Sequence, residues 1–376
     1  MGPLNGIRVL ELSGIGPGPF CAMLLADMGA EVVRIDRPGG SNFFGLDRVM
    51  CRSRRSLGLN LKDPAALNLL LDLVARSDVL IEGLRPGVAE RLGFGPEACQ
   101  ARNAGLVYGR VTGWGQDGPL RDRAGHDINY IALTGALDAI GPAGGRPVAP
   151  LNLVGDFGGG ALYLAMGILA ALVERFVSGQ GQVVDAAMVD GAASLMTMFY
   201  EFKSMGMWEG DRGTNLLDGG VPFYDTYETA DGGFMAVGPL EPQFYAEFLQ
   251  LLGLSDVDPA GQYDPATWPA LRDKIAAALL DRTRDEWASV FGQSDACTWP
   301  VLSMAEAPRH PHNEARAVFV SVDGVMQPAP APRFSRTSAE SPERAPYPGE
   351  HTEMILGELG VTAKEVAVLR SAGVVF

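Results

Sequence analysis

Three short strings carry side chains able to move protons. AGHDINY (124–130) holds His126 directly before Asp127, PLNLVGDFGGGAL (150–162) holds Asp156 ahead of three glycines, and GPLEPQF (238–244) holds Glu241 before Pro242. Imidazole changes charge near neutral pH, and a carboxyl group with a shifted pKa is a natural partner for general acid/base chemistry. Each residue also has a plainer use. His126 beside a helix start serves as a hydrogen-bonding residue, with Asp127 capping the helix that begins near Ile128. Asp156 before its glycines reads as a helix N-cap, which would lower its pKa. Pro242 suits a first helical turn, which leaves Glu241 at the cap or facing solvent.

Anion binding is the second chemistry on offer. Residues 48–62, RVMCRSRRSLGLNLK, carry Arg48, Arg52, Arg54, Arg55 and Lys62 with no acid among them, and Arg37, Arg85 and Arg91 lie near. Guanidinium forks suit phosphate oxygens. The run reads equally as a solvated basic loop. The turn GIGPGP (14–19) follows a first strand, as in dinucleotide-binding units, but its glycines miss the G-x-G-x-x-G spacing and two prolines interrupt it. Arg37 then follows Asp36, where a nicotinamide dehydrogenase would place an adenosine ribose. A dehydrogenase is therefore disfavoured.

The elements that must position these residues alternate along the N-terminal half. IRVLEL (7–12), EVVRI (31–35), DVLIEG (78–83) and LVYGRVTG (106–113) read as buried strands, separated by helical runs at 20–30 and 67–77. That pattern predicts a parallel sheet with helices packed on it. GALYLAMGILAALVERF (160–176) is apolar nearly all round and predicts a buried helix. QGQVVDAAMVDGAASLMTMFYEF (180–202) leads from a strand into one Met-rich helix. FYDTYETADGGFMAVG (223–238) predicts a hairpin turning at Asp231-Gly232-Gly233, and helices follow at 242–253, 271–281 and 284–291. We divide the chain into a large Rossmann-like domain (1–200), a linker (201–221), a small α+β domain (222–325), and a Pro-rich return (MQPAPAPRF, 326–334) whose C-terminal helices pack back on the large domain, which 330–376 rejoins.

With 376 residues, two domains is the expectation. A net charge of −15 argues against nucleic acid as a partner while leaving room for a small anion in a local basic pocket. The four cysteines and four histidines are scattered, so no metal site or redox dithiol is expected. No stretch of about 18 uninterrupted apolar residues occurs, so no membrane span is expected. The N-terminus lacks the pattern of a secretory signal, and a soluble cytoplasmic protein is the default expectation.

At AGHDINY, PLNLVGDFGGG, GQGQVVDAAMVDG, NLLDGGVPFYDTY, EPQFY and GEHTEMILGELG the sequence resembles the α-methylacyl-CoA racemases, a group within the family III CoA-transferases. The resemblance runs from 9–20 to 350–360. GEHT and GQ-x-V-D-A mark the superfamily, whereas AGHDINY with GDFGGG is specific to the racemases. It implies epimerisation of a 2-methylacyl-CoA, with CoA as part of the substrate and no separate cofactor. It also implies an interlocked homodimer whose active site joins the large domain of one subunit to the small domain of the other. His126 and Asp156 would be the two bases on opposite faces of the α-carbon, and Glu241 would hydrogen-bond His126. The CoA site would involve Arg37, Leu59, Asn60, Leu61, Lys62, Gly83, Leu84, Arg85, Arg91, and the run Gly125, His126, Asp127, Ile128, Asn129 and Tyr130. Leu84 stands where some relatives carry an aromatic residue. Met188, Met196, Met198, Met205 and Met207 resemble a surface that receives the acyl chain. Asn152 or the backbone N–H groups of the GDFGGG turn would hold an enolate oxygen. The rival within the superfamily is a CoA-transferase, in which Asp156 attacks the thioester and forms a mixed anhydride. A binding module without catalysis leaves these ionisable motifs unexplained.

Overall fold

The computed structural model describes residues 2–40 and 47–376. Six strands form one parallel sheet: β1 (Arg8–Leu12), β2 (Glu31–Asp36), β3 (Arg55–Gly58), β4 (Val79–Glu82), β5 (Val107–Thr112) and β6 (Val183–Ala187). Their order is β3-β2-β1-β4-β5-β6. β1, β2, β4 and β5 are buried almost throughout, as an apolar run covered on both faces requires. The chain order reverses between β1 and β4, and a crevice opens beyond the carboxyl ends of those two strands, where ligands bind in open α/β sheets. The prolines of GIGPGP do not break the fold, because Pro17 and Pro19 fall in the first turn of helix Pro17–Asp27, where no backbone N–H is needed.

β3 lies inside the run that reads as a basic loop. Its charges are neutralised locally rather than solvated. Arg54 is buried against Glu11 of β1 at 2.6 Å. Arg52 is buried against Asp27 at 2.5 Å and also donates to Gln327 at 2.9 Å. Arg55 pairs with Glu31 and Glu358. Three of the arginines suggested for phosphate are thus structural ties, and only Arg48 of that group is exposed, 3.9 Å from Asp323. Beyond β3, Leu59 bridges to Val375 and the Asn60 N–H donates to the Val374 carbonyl at 2.9 Å, so the C-terminal helices Thr352–Glu358 and Ala363–Ser371 close over this edge.

Two compact units partition the chain. The first comprises residues 1–134, 151–195 and 314–376, the second 135–150 and 196–313. The division departs from the sequence expectation in three places. Residues 135–150 join the second unit, where Arg212 donates to the Asp138 carbonyl at 2.7 Å and the Gly145 carbonyl at 2.8 Å. The Met-rich helix is broken at Met196 into Met188–Leu195 and Thr197–Ser204, one piece in each unit. Residues 314–325 belong to the first unit, and the start of the Pro-rich segment is a strand.

The second unit carries an antiparallel sheet in the order β7-β8-β9: β7 (Asp225–Glu228), β8 (Phe234–Val237) and β9 (Thr298–Pro300). The β7–β8 hairpin turns at Asp231-Gly232-Gly233, with Gly232 at φ 75°. Helices Pro242–Leu252, Trp268–Leu279 and Arg284–Phe291 bury Tyr245, Phe248, Ile275 and Phe291 in its core. Back in the first unit, β10 (Phe319–Val322) and β11 (Val325–Pro328) form a further hairpin.

Helix Tyr163–Ser178 is only half covered. Leu164, Ile168 and Leu172 are buried in the core that includes Val107 and Ala186, while Met166, Val173, Phe176 and Val177 are 58–90% exposed. The buried helix expected from composition therefore has an uncovered apolar face in the single chain. With the preceding turn it makes a helical stretch, Leu153–Ser178, long and apolar enough by composition to cross a membrane; one side of it packs on the sheet and it contains Asp156.

Candidate active site

Beyond the carboxyl ends of β1, β4 and β5 lies a cavity of about 1240 Å³. His126 and Asp156 both line it, as do Asn152, Tyr130, Phe157 and Met188. His126 is the N-cap of helix Asp127–Ala132 and has extended backbone geometry; its own N–H donates to the Asn129 side chain at 3.0 Å. Its imidazole is exposed to the cavity. Tyr130 anchors this stretch from below. Its hydroxyl donates to the Gly125 carbonyl, and its ring meets Trp114 edge-on at 4.8 Å. Gly113 and Gly125 lie so close to the Tyr130 ring that a β-carbon at either position would overlap it.

Asp156 does not cap a helix. It sits inside a π-helical segment, Leu153–Leu162, of the kind that often marks a functional site. The three glycines that follow it let this segment press onto helix Met188–Leu195, where a β-carbon on Gly159 or Gly191 would run into the facing backbone. Asn152 Nδ2 donates to the Asp156 carboxyl at 3.1 Å. The Asp156 carboxyl also faces Gly16, at the start of helix Pro17–Asp27; a β-carbon there would approach it to 3.3 Å. The cap expectation gave Asp156 a lowered pKa, but the structure reverses the sign. Burial raises it, the negative charge of Asp127 raises it further, and the Asn152 hydrogen bond and His126 only partly offset this. Burial, with the charge of Asp156, also pushes Tyr130 up to about 12.

Asp127 does not cap its helix either. It is the first helical residue, is buried, and accepts the Asp156 N–H at 2.7 Å. The Phe157 N–H goes to the Asn152 carbonyl at 3.3 Å. One donor of the Asn152 amide and two N–H groups of the glycine turn, all suggested as enolate donors, are therefore engaged within the protein.

The anion-binding residues divide. Arg37, Gly83, Leu84, Arg85 and Gly125 line the cavity. The Gly83–Arg85 turn is held by buried Glu82, which accepts the Leu84 N–H at 2.7 Å and Arg110 Nε at 3.0 Å. Leu59, Asn60, Leu61 and Lys62 follow β3 on the same edge of the sheet but outside the cavity wall, and Arg91 is exposed on helix Val88–Leu92, also outside it. Asp127, Ile128 and Asn129 support the wall without forming it. Arg121 and Arg123 do line the cavity, and sequence reasoning missed them. The signal was present, since both lie in GPLRDRAGH within five residues of His126. With Arg37, Arg48 and Arg85 they give an acidic protein a cationic cavity. Glu241 belongs to the second unit, as N-cap of helix Pro242–Leu252, with an exposed side chain that makes no capping bond. Met196, Met198, Met205 and Met207 are in that unit too, while Met188 lines the cavity.

A family model described as CoA-transferase family III matches residues 4–352. The chain belongs to CoA-transferase family III. Among its relatives, alpha-methylacyl-CoA racemase of Mus musculus is 48% identical to this family III chain over 99% of the chain and 97% of that protein. The Homo sapiens protein of the same name is also 48% identical, over 98% of the chain and 96% of its own length. A crystal structure of a CAIB/BAIF family protein from Brucella suis superposes with a TM-score of 0.83 at 24% identity, covering 95% of this chain and 99% of that one, which extends the family III likeness to the fold.

Proposed function

We propose that this chain interconverts the (R) and (S) epimers of 2-methylacyl-CoA thioesters through an enolate. The observation that carries the reading is that His126 and Asp156 line one cavity, lined also by cations, at the switch point of the sheet. The near full-length likeness to the two racemases supports it. Inversion at an α-carbon needs one group to remove a proton and another, already protonated, to deliver one to the opposite face. The raised pKa of Asp156 suits its carboxyl to carry the proton that is delivered, with the His126 imidazole as the base for one epimer. The reverse assignment serves the other epimer. The chemistry requires side chains alone, with CoA as part of the substrate. Its phosphates are held by Arg37, Arg85, Arg121 and Arg123, and Met188 meets the acyl group.

Glu241 acts in this reading as the hydrogen-bond partner of His126 in a homodimer. The uncovered face of helix Tyr163–Ser178, with Phe176 and Val177 at 81% and 90% exposure, supports a second copy of the chain as a partner.

The CoA-transferase alternative places the same carboxylate in a different step, so one incubation separates them. A single-epimer 2-methylacyl-CoA is supplied with hydroxylamine and no free carboxylic acid. Both epimers should appear, with no modified Asp156. A hydroxamate on Asp156, with the starting epimer intact, would favour the transferase.

A further inference from the structure

Asp127 is a buried carboxylate only partly satisfied. Its side chain is in a residue 6% exposed. One oxygen, Oδ2, accepts the Asp156 N–H at 2.7 Å. The other, Oδ1, is buried with no hydrogen-bond partner among the described residues. Buried carboxylate oxygens are ordinarily paired, and leaving one unpaired is costly unless something is gained. The surroundings are built to keep it there. Gly155, the residue before Asp156, has no side chain; a β-carbon at that position would come within 2.6 Å of Asp127 Oδ2. Asp127 is also the covalent neighbour of His126, so it stands beside both members of the proposed acid/base pair.

We propose that Asp127 is a positioning residue for that pair: it fixes the Asp156 backbone through the N–H it accepts, and its negative charge holds the working proton in the site. The inference rests on the epimerase reading for its purpose, but its charge effect is independent of turnover. An ionised Asp156 opposite a neutral His126 has no proton to deliver. A like charge in a partly buried setting disfavours that state. The charges acting on Asp156 are those of His126 and Asp127, and the Tyr130 phenol is coupled to Asp156 from the same helix. Helix Pro17–Asp27 presents Gly16 to the Asp156 carboxyl, and helix Met188–Leu195 presents Gly191 and Ala192 to the segment that carries it; none of these titrates.

Asp127→Asn tests this with little change of shape, because the amide oxygen still accepts the Asp156 N–H while the charge is gone. In protein labelled at aspartate Cγ with ¹³C, the Asp156 resonance is assigned by its loss in Asp156→Asn. Its titration midpoint should fall in Asp127→Asn, the direction expected when a neighbouring like charge is removed. In the same variant the alkaline limb of the pH–rate profile should move to lower pH. Asp127→Ser, a second neutral variant, should move both in the same direction if the asparagine form does not fold. An Asp156 titration that stays where it is in a folded neutral variant overturns the inference and leaves Asp127 a structural tie. Failure of the epimerase reading has a different signature: no epimerisation by the unaltered protein, whatever the resonance does.

Discussion

His126→Ala and Asp156→Ala should each lower epimerisation turnover by at least about a hundredfold, the usual loss when a positioned acid or base is removed. Neither is one of the arginines proposed to hold the phosphates, so affinity for CoA itself should change far less. Combining them should add little to either alone, because a proton taken from one face and not returned on the other completes no turnover. The geometry sharpens this. Asp156 is fixed by Asn152, by its own N–H to Asp127 and by a glycine-packed π segment, so its loss removes a held group rather than a mobile one. Glu241→Gln belongs to the same series and should be milder. A carboxylate that accepts a hydrogen bond from His126 would fix its tautomer and aim, so the amide should lower turnover without abolishing it. Normal turnover in folded His126→Ala would remove the mechanism, and unchanged turnover in Glu241→Gln would return that residue to a solvent-facing role.

Arg54→Ala should act on stability, with a loss of about 3–5 kcal/mol, the cost of stripping one partner from a buried ion pair. Arg54, the residue before β3, and Glu11 of β1 have fully buried side chains 2.6 Å apart. Burial already raises the pKa of Glu11 despite Arg54 and Arg34 beside it. Without Arg54 it rises further. A carboxyl group whose folded pKa lies above its unfolded one costs nothing while both states are protonated, and the cost grows as pH climbs through the unfolded value toward the folded one. The deficit in urea unfolding should therefore be smallest in acid and grow as pH rises above the unfolded value. Had Arg54 been a phosphate ligand, the same change would raise KM and leave the urea midpoint alone.

That contrast marks where sequence was legible and where it was not. The parallel sheet could be read because β1, β2, β4 and β5 are continuous apolar runs, and the β7–β8 hairpin because Asp-Gly-Gly leaves few other conformations. β3 hid because it opens on Arg55 and Ser56, with Arg54 just before it, and the acidic partners of the two arginines, Glu11, Glu31 and Glu358, lie far off in sequence. The strings around His126 and Asp156 announced themselves, yet the local rule misplaced the electrostatics. A carboxylate before glycines suggests a cap, whereas one extra residue per turn makes a π segment that no spacing rule reveals. Asp127 looked like that cap's counterpart and instead reaches across 29 positions to the Asp156 backbone. The half-bare helix Tyr163–Ser178 shows the limit of composition, which registers that a surface is apolar but not whether the same chain covers it.

Epimerisation through an enolate requires that the α-proton of the thioester leaves and a proton returns. A single-epimer 2-methylacyl-CoA incubated with the enzyme in deuterated water, with no acceptor acid, reads this directly by mass spectrometry and chiral analysis. One deuterium should appear at the α-carbon together with the second epimer, and both should be lost in Asp156→Ala except for any exchange that returns deuterium to the face His126 serves. Epimerisation without deuterium uptake, or an α-carbon that keeps its proton and its configuration throughout, would contradict the enolate route.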